Sequence, residues 1–103
     1  MDMEMVAMLI IANAGEARSL AYQALSEAKK GDFEKAEELM KQAEESFVKA
    51  HHAQTEILVS EANGTKTEVS VLLIHSQDHL MTSMLALELV KELIILHKEK
   101  SDR

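Results

Sequence analysis

The stretch from Val71 to Leu96 constrains the fold most strongly, because a helix built from it is apolar on nearly every side. With a turn of about 100° per residue, its apolar residues form two faces that point in roughly opposite directions. One face contains Leu73, Leu80, Met84 and Leu87, and the other contains Val71, Leu85, Leu89 and Leu96. A helix that is hydrophobic all round must be covered all round, and the rest of a 103-residue chain can cover only about one side of it. We therefore expect a homo-oligomer with this helix at its centre.

Two further helices are predicted before this one, from apolar residues that recur at steps of three and four. The three helices span about residues 3–30, 33–61 and 66–100, and the chain has no proline to interrupt them. The predicted fold is all-α: an antiparallel three-helix bundle formed by residues 1–103 as a single helical domain. The run from Val69 to Ile74 favours a β-strand when taken alone. Because no breaker follows it until about residue 100, a helix is the better prediction.

Turn and capping residues mark both breaks between the helices. The run Lys29-Lys30-Gly31-Asp32 combines cations for a last helical turn, a glycine just past its end and an aspartate that can cap the next helix. At the second break Asn63-Gly64 predicts a turn. Thr65, with Glu68 three residues later, predicts a capping box for the third helix.

Two features of the first helix need a separate explanation. Gly15 lies inside it, where glycine costs about 1 kcal/mol relative to alanine, so we expect either close approach of another helix or a bend, with close approach favoured. The apolar run from Val6 to Ala12 resembles the core of a signal peptide, but Asp2 and Glu4 stand where a basic segment is needed. The run is also too short to span a bilayer, so we predict a core helix.

The composition excludes several classes of function. The formal net charge of −7 argues against a nucleic-acid or anionic-membrane surface, because both need a basic face. The absence of cysteine excludes a disulfide framework, a thiolate metal site and a cysteine nucleophile. The absence of cysteine is compatible with a reducing cytosol.

Three titratable residues interrupt the third helix: His75, Asp78 and His79. Asp78 points the same way as Val71 and Leu85, so packing explains it least, and a buried carboxylate must be protonated, paired or bound to a metal. On the axis of a cyclic oligomer Asp78 would meet its own copies, and a divalent cation with oxygen ligands would relieve their repulsion. We therefore hypothesise that Asp78 is a metal ligand on the symmetry axis.

The run from His75 to Thr82 resembles the phosphorylation-site motif of the lactose/cellobiose-type enzyme IIA component of the bacterial sugar phosphotransferase system. Gly15–Ser19, Gly31–Phe33, Ala50–His51 and Gln54–Thr55 also resemble signatures of that family, in the same order and spacing. The resemblance therefore extends over nearly the whole chain. Ser76 is a mild departure, since alanine or glycine is expected at its position.

This resemblance implies a function, a set of partners and an assembly. His75 would accept a phosphoryl group from the histidine-containing phosphocarrier protein and pass it to a cysteine of the cognate enzyme IIB during sugar uptake. The protein would be a cytoplasmic homotrimer of nine helices with one axial, structural Mg²⁺ held by Asp78, and it would meet the membrane permease only through its partners. The sugar, whether lactose, cellobiose or chitobiose, stays open.

Imidazole is a good phosphoryl acceptor because it is nucleophilic when neutral, and phosphoryl transfer needs positioning and charge stabilisation more than covalent assistance. Gln77, His79 and, from a neighbouring subunit, His51 or Gln54 are candidate hydrogen-bond donors to the phosphoryl group. A structural role is nevertheless favoured for His51, and more strongly for His52 and His97.

Two other classes of function stay open at this point. One is a metal-dependent hydrolase with His75, Asp78 and His79 as metal ligands, since mixed histidine and carboxylate sites can leave a position for water. The other is a helical scaffold without catalysis, in which Asp78 would be neutral or paired and substitution of His75 would leave function unaltered.

Overall fold

The computed structural model describes residues 2–103 and contains three α-helices, with no strand in that range. The helices are α1 (Met3–Lys29), α2 (Phe33–Ala62) and α3 (Val71–Ser101). The molecule is a rod of 55 × 20 × 19 Å, about as long as the helices themselves. The all-α prediction is confirmed.

The helices lie side by side, and two hydrophobic clusters show how they run. In one cluster the N-terminal half of α1 packs against the C-terminal half of α2 and the start of α3; its buried members are Ile10, Ala14, Ala50, Ala53, Ile57, Leu73 and Leu80. In the other, the C-terminal half of α1 packs against the start of α2 and the middle of α3; its buried members are Ala17, Ala21, Ala24, Ala28, Ala36, Met40, Ala43, Leu87 and Val90. Consecutive helices are therefore antiparallel. Alanine dominates because small side chains let α1 and α2 approach closely.

The first break between helices has the predicted chemistry. Gly31 has a φ of 88°, and its N–H and that of Asp32 donate to the carbonyls of Ala28 and Glu27, both at 3.0 Å. This is a Schellman end, which glycine reaches without the cost that a side chain would add. The carboxylate of Asp32 accepts from the N–H of Lys35 at 3.1 Å and caps α2.

The start of α3 differs from the prediction: the helix begins at Val71, and the capping box of Thr65 and Glu68 is wrong. The N–H of Thr65 donates to the carbonyl of Ser60 at 3.1 Å, so Thr65 completes the Schellman end of α2 instead of starting the next helix. Ser70 is the true N-cap, because its hydroxyl accepts from the N–H of Leu73 at 3.1 Å. Residues 65–70 are irregular, in keeping with the β-branched residues around Val69.

Two expectations for α1 have different outcomes. Ala7 and Ile10 are buried, so the apolar run from Val6 to Ala12 is part of the core as predicted. A β-carbon added to Gly15 would meet nothing within 4 Å among residues 2–103 outside its own stretch of helix. The predicted close approach of another helix at Gly15 is therefore wrong within one chain, and α1 continues through the glycine as a helix.

One apolar face of α3 is buried and the other is exposed. Leu73, Leu80 and Leu87 are buried against α1 and α2. On the opposite face Val71 is 83% exposed, and Leu85, Leu89 and Leu96 are each more than half exposed. The single chain thus covers one side of α3 and leaves the other unpartnered, as expected from its size. Within residues 2–103, none of the helices combines the length and the apolar character that crossing a membrane requires.

Candidate functional site

His75 and His79 are brought together on the first half of α3. Because they are four residues apart, they stand one helical turn apart on the same side. Their Nε2 atoms are 3.0 Å from each other, and the rings meet edge to face with centroids 4.4 Å apart. His75 is exposed and His79 is half-buried. The exposed ring can therefore be reached from outside, while its neighbour supports it from the protein side.

The surroundings of His79 indicate which ring donates the shared proton. Its Nδ1 is buried and has no hydrogen-bond partner among the described residues. If Nδ1 carried the hydrogen, a buried donor would be left unsatisfied, which costs about 1–3 kcal/mol. With the hydrogen of His79 on Nε2, that N–H donates to Nε2 of His75.

Asp78 is exposed on the unpartnered face of α3. Its own backbone carbonyl accepts from the hydroxyl of Thr82 at 2.7 Å. Within residues 2–103 no group of three histidine or acidic side chains could hold a metal ion. The hydrolase alternative, which needs His75, Asp78 and His79 on one metal ion, therefore has no support in the geometry. A cation at Asp78 would need carboxylates from other copies.

Gln77 lies away from His75 on its own chain, because a separation of two residues places side chains on nearly opposite sides of a helix. Its Oε1 accepts from Nε2 of Gln54 on α2 at 2.7 Å, and its Nε2 donates to the hydroxyl of Ser76 at 3.2 Å. The two glutamines thus form a half-buried polar bridge between α2 and α3.

Two further side chains complete the description of this end of the bundle. His51 is exposed on α2, and its ring stacks on that of Phe47 with centroids 5.9 Å apart. Ser76 is completely buried, and its hydroxyl donates to the carbonyl of Leu73 at 2.6 Å. Sequence reasoning missed a role for Ser76, although its position between Leu73 and Leu80 on the core face indicates burial.

Comparison with known proteins finds relatives that match nearly the whole chain. The family profile "PTS system, Lactose/Cellobiose specific IIA subunit" matches residues 5–98. The chain is 50% identical over 98 residues to the N,N'-diacetylchitobiose-specific EIIA component of Escherichia coli K12, covering 95% of this chain and 84% of that one.

Two solved structures are also similar. The cellobiose-specific enzyme IIA of Bacillus anthracis superimposes with a TM-score of 0.95 at 47% identity, covering 100% of this chain and 94% of that one. The chitobiose IIA of Escherichia coli, solved in complex with HPr, superimposes with a TM-score of 0.84 at 48% identity over 98% of both chains.

Proposed function

This chain belongs to the lactose/cellobiose-specific IIA family of the phosphotransferase system, and from that membership we propose that it carries a phosphoryl group on Nε2 of His75. Components of this family are phosphotransferases. The observation that carries the proposal is the exposed His75 ring, whose Nε2 faces Nε2 of His79 at 3.0 Å. A nucleophilic nitrogen that is open to a partner and paired with a donor is what a phosphoryl acceptor needs.

The transfer exchanges one phosphorus–nitrogen bond for another. The N–H of His79 first releases the single lone pair on Nε2 of His75. That lone pair attacks the phosphorus of the donor's phosphohistidine, the new N–P bond forms, and the electron pair of the old bond stays on the donor's nitrogen. The released N–H of His79 donates to an oxygen of the phosphoryl group, which stabilises its charge.

The partners follow from the same step. The donor is the histidine-containing phosphocarrier protein HPr, in keeping with the solved HPr complex of the chitobiose relative. The acceptor is a cysteine of the cognate enzyme IIB, whose thiolate attacks the phosphorus while the electron pair of the N–P bond returns to Nε2 of His75. This chain has no cysteine, so it cannot divert the group onto a thiol of its own. We infer that the protein acts in the cytoplasm, with a sugar of the chitobiose, cellobiose or lactose class as the final acceptor.

A homotrimer completes the site. The unpartnered face of α3 carries Val71, Leu85, Leu89 and Leu96, all exposed in the single chain. Three copies of α3 would bury this face around one axis and bring the three Asp78 carboxylates together. One Mg²⁺ held by these oxygens would neutralise their repulsion and stabilise the assembly. Gln77, Gln54 and His51 then lie at the boundary between copies, within reach of the neighbour's His75.

Intact-mass spectrometry tests the phosphoryl-carrier function directly. The protein is incubated with phosphoenolpyruvate, enzyme I and HPr, and its mass is measured at neutral and at acid pH. We expect one phosphoryl group per chain, stable at neutral pH and lost in acid, as phosphohistidine is. His75→Gln should abolish the gain in mass, whereas His52→Gln, which removes an exposed histidine of α2, should retain it. An unphosphorylated wild-type protein would contradict the proposal.

Calorimetric titration tests the metal. Chelator-treated protein should release or absorb heat when Mg²⁺ is added, and its melting temperature should rise, since a ligand that binds only the folded assembly stabilises it. Asp78→Asn should show neither effect. Absence of both heat and a thermal shift in the wild type would rule out the axial Mg²⁺ and would leave the phosphoryl transfer at His75 untouched.

A further inference from the structure

Ser76 begins a chain of hydrogen bonds that runs from α3 to α2. Its hydroxyl is fully buried and donates to the carbonyl of Leu73 at 2.6 Å. The same oxygen accepts from Nε2 of Gln77 at 3.2 Å, and Oε1 of Gln77 accepts from Nε2 of Gln54 at 2.7 Å. Three side chains thus connect one backbone carbonyl of α3 to α2.

With the Ser76 hydroxyl bound to the carbonyl of Leu73, this series of hydrogen bonds runs in one direction. A serine hydroxyl carries a single hydrogen, and that of Ser76 is donated to Leu73, so its oxygen can only accept from Gln77. Gln77 must therefore turn its NH₂ group toward Ser76 and its oxygen toward Gln54. Gln54 must in turn present an N–H. Reversing Gln77 alone would place its oxygen against Oγ of Ser76 and its NH₂ against that of Gln54, which is repulsive in a half-buried setting.

We infer that Ser76 is a positioning residue for phosphoryl transfer: through its hydroxyl it sets the amide orientation of Gln77 and, through Gln77, that of Gln54. This inference rests on the proposed function. Each glutamine amide has two N–H groups and uses one of them in the chain. The second N–H of each is then held in a defined direction, available to the phosphoryl oxygens on His75 of a neighbouring copy.

Ser76→Ala removes the hydroxyl, and Ser83→Ala is its matched control. Ser83 lies seven residues later on the same face of α3, is equally buried, and donates to the carbonyl of Ala14 at 3.0 Å without contacting a glutamine. We expect Ser76→Ala to slow phosphorylation by phospho-HPr about 3- to 10-fold, the size of one hydrogen bond's contribution. Ser83→Ala should leave the rate within about 2-fold of the wild type.

A double-mutant cycle separates positioning from a general structural effect. If Ser76 acts through the glutamine chain, adding Ser76→Ala to Gln54→Ala should slow the transfer no further than Gln54→Ala alone. Rate losses that multiply would mean that Ser76 acts by another route, and they would overturn the inference.

NMR of the side-chain amides gives a readout that does not depend on phosphorylation. In the unphosphorylated protein, Ser76→Ala should shift the NH₂ signals of both Gln77 and Gln54, whereas Ser83→Ala should shift neither. Unchanged Gln54 signals in Ser76→Ala would overturn the inference. A wild-type protein that accepts no phosphoryl group would overturn the proposed function together with the part of Ser76 in transfer.

Discussion

At the scale of single residues, the pair His75 and His79 shows how one buried atom can set the chemistry of an exposed one. Among the described residues Nδ1 of His79 has no hydrogen-bond partner, and a hydrogen on its Nε2 would point at His75. In the proposed mechanism this N–H is the donor that meets the charge of the incoming phosphoryl group.

This arrangement predicts different results for two substitutions of His79. His79→Ala removes the donor and should slow phosphorylation of His75 by about 10- to 100-fold, since hydrogen bonds to charged groups contribute about 1.5–3 kcal/mol. His79→Gln retains an N–H near the position of Nε2 and should recover most of the rate. Single-turnover transfer from phospho-HPr is the measurement, with His97→Ala on the same helix as the control. Equal losses in His79→Ala and His79→Gln would contradict a donor role.

The contacts among the site residues could be predicted from the sequence to different degrees. His75, Asp78 and His79 lie within one turn or so of α3, so their proximity follows from helical spacing alone. The bond between Gln54 and Gln77 joins residues on two helices, and its existence depends on how α2 and α3 are rotated against each other. Ser76 gains its role only through that bond.

At the scale of helices, the start of α3 shows two capping signals in competition. Thr65 and Glu68 have the sequence of a capping box, but the N–H of Thr65 is already used by the end of α2. The helix begins only at Ser70, where the hydroxyl can accept from Leu73. The capping box predicted from the sequence does not form, because the N–H of Thr65 is already hydrogen-bonded to the end of α2.

Unfolding experiments can distinguish the two caps. Ser70→Ala should lower the free energy of unfolding by about 1 kcal/mol, the usual cost of losing an N-cap, whereas Thr65→Ala should change it by less than about 0.5 kcal/mol. Urea titrations at one fixed protein concentration are required, because the proposed trimer would make stability depend on concentration. A larger effect of Thr65→Ala than of Ser70→Ala would contradict Ser70 as the N-cap and would support the predicted capping box at Thr65.

At the scale of the whole molecule, the main feature is the exposed apolar face of α3. A row of large apolar side chains that are half exposed or more in a single chain is costly in water, and it contains the carboxylate of Asp78. Burial between copies would remove the apolar area from water, and it would move Asp78 from solvent to an axis.

A charge on this face should dissociate the assembly. In the proposed trimer, Leu89→Glu would place one more carboxylate per chain next to the axis. We therefore expect the variant to sediment as a monomer of 11.5 kDa and the wild type to sediment at about three times that mass. Val48→Glu is the matched control, because Val48 is as exposed as Leu89 but lies on α2. Sedimentation equilibrium is the measurement. A wild-type monomer, or a trimer unaffected by Leu89→Glu, would contradict the arrangement.

The amino-acid sequence alone was sufficient to predict the features that depend on residues close together along the chain. Helical periodicity without proline, the Gly31-Asp32 break and the nearness of His75 to His79 depend on residues a few positions apart, and their energies are settled within one helix. Packing decided the rest: the start of α3, the open side of Gly15 and the bridge from Ser76 through Gln77 to Gln54. Those features depend on which helix faces meet and on which backbone groups a neighbour has already used, and that information exists only once the three helices are assembled.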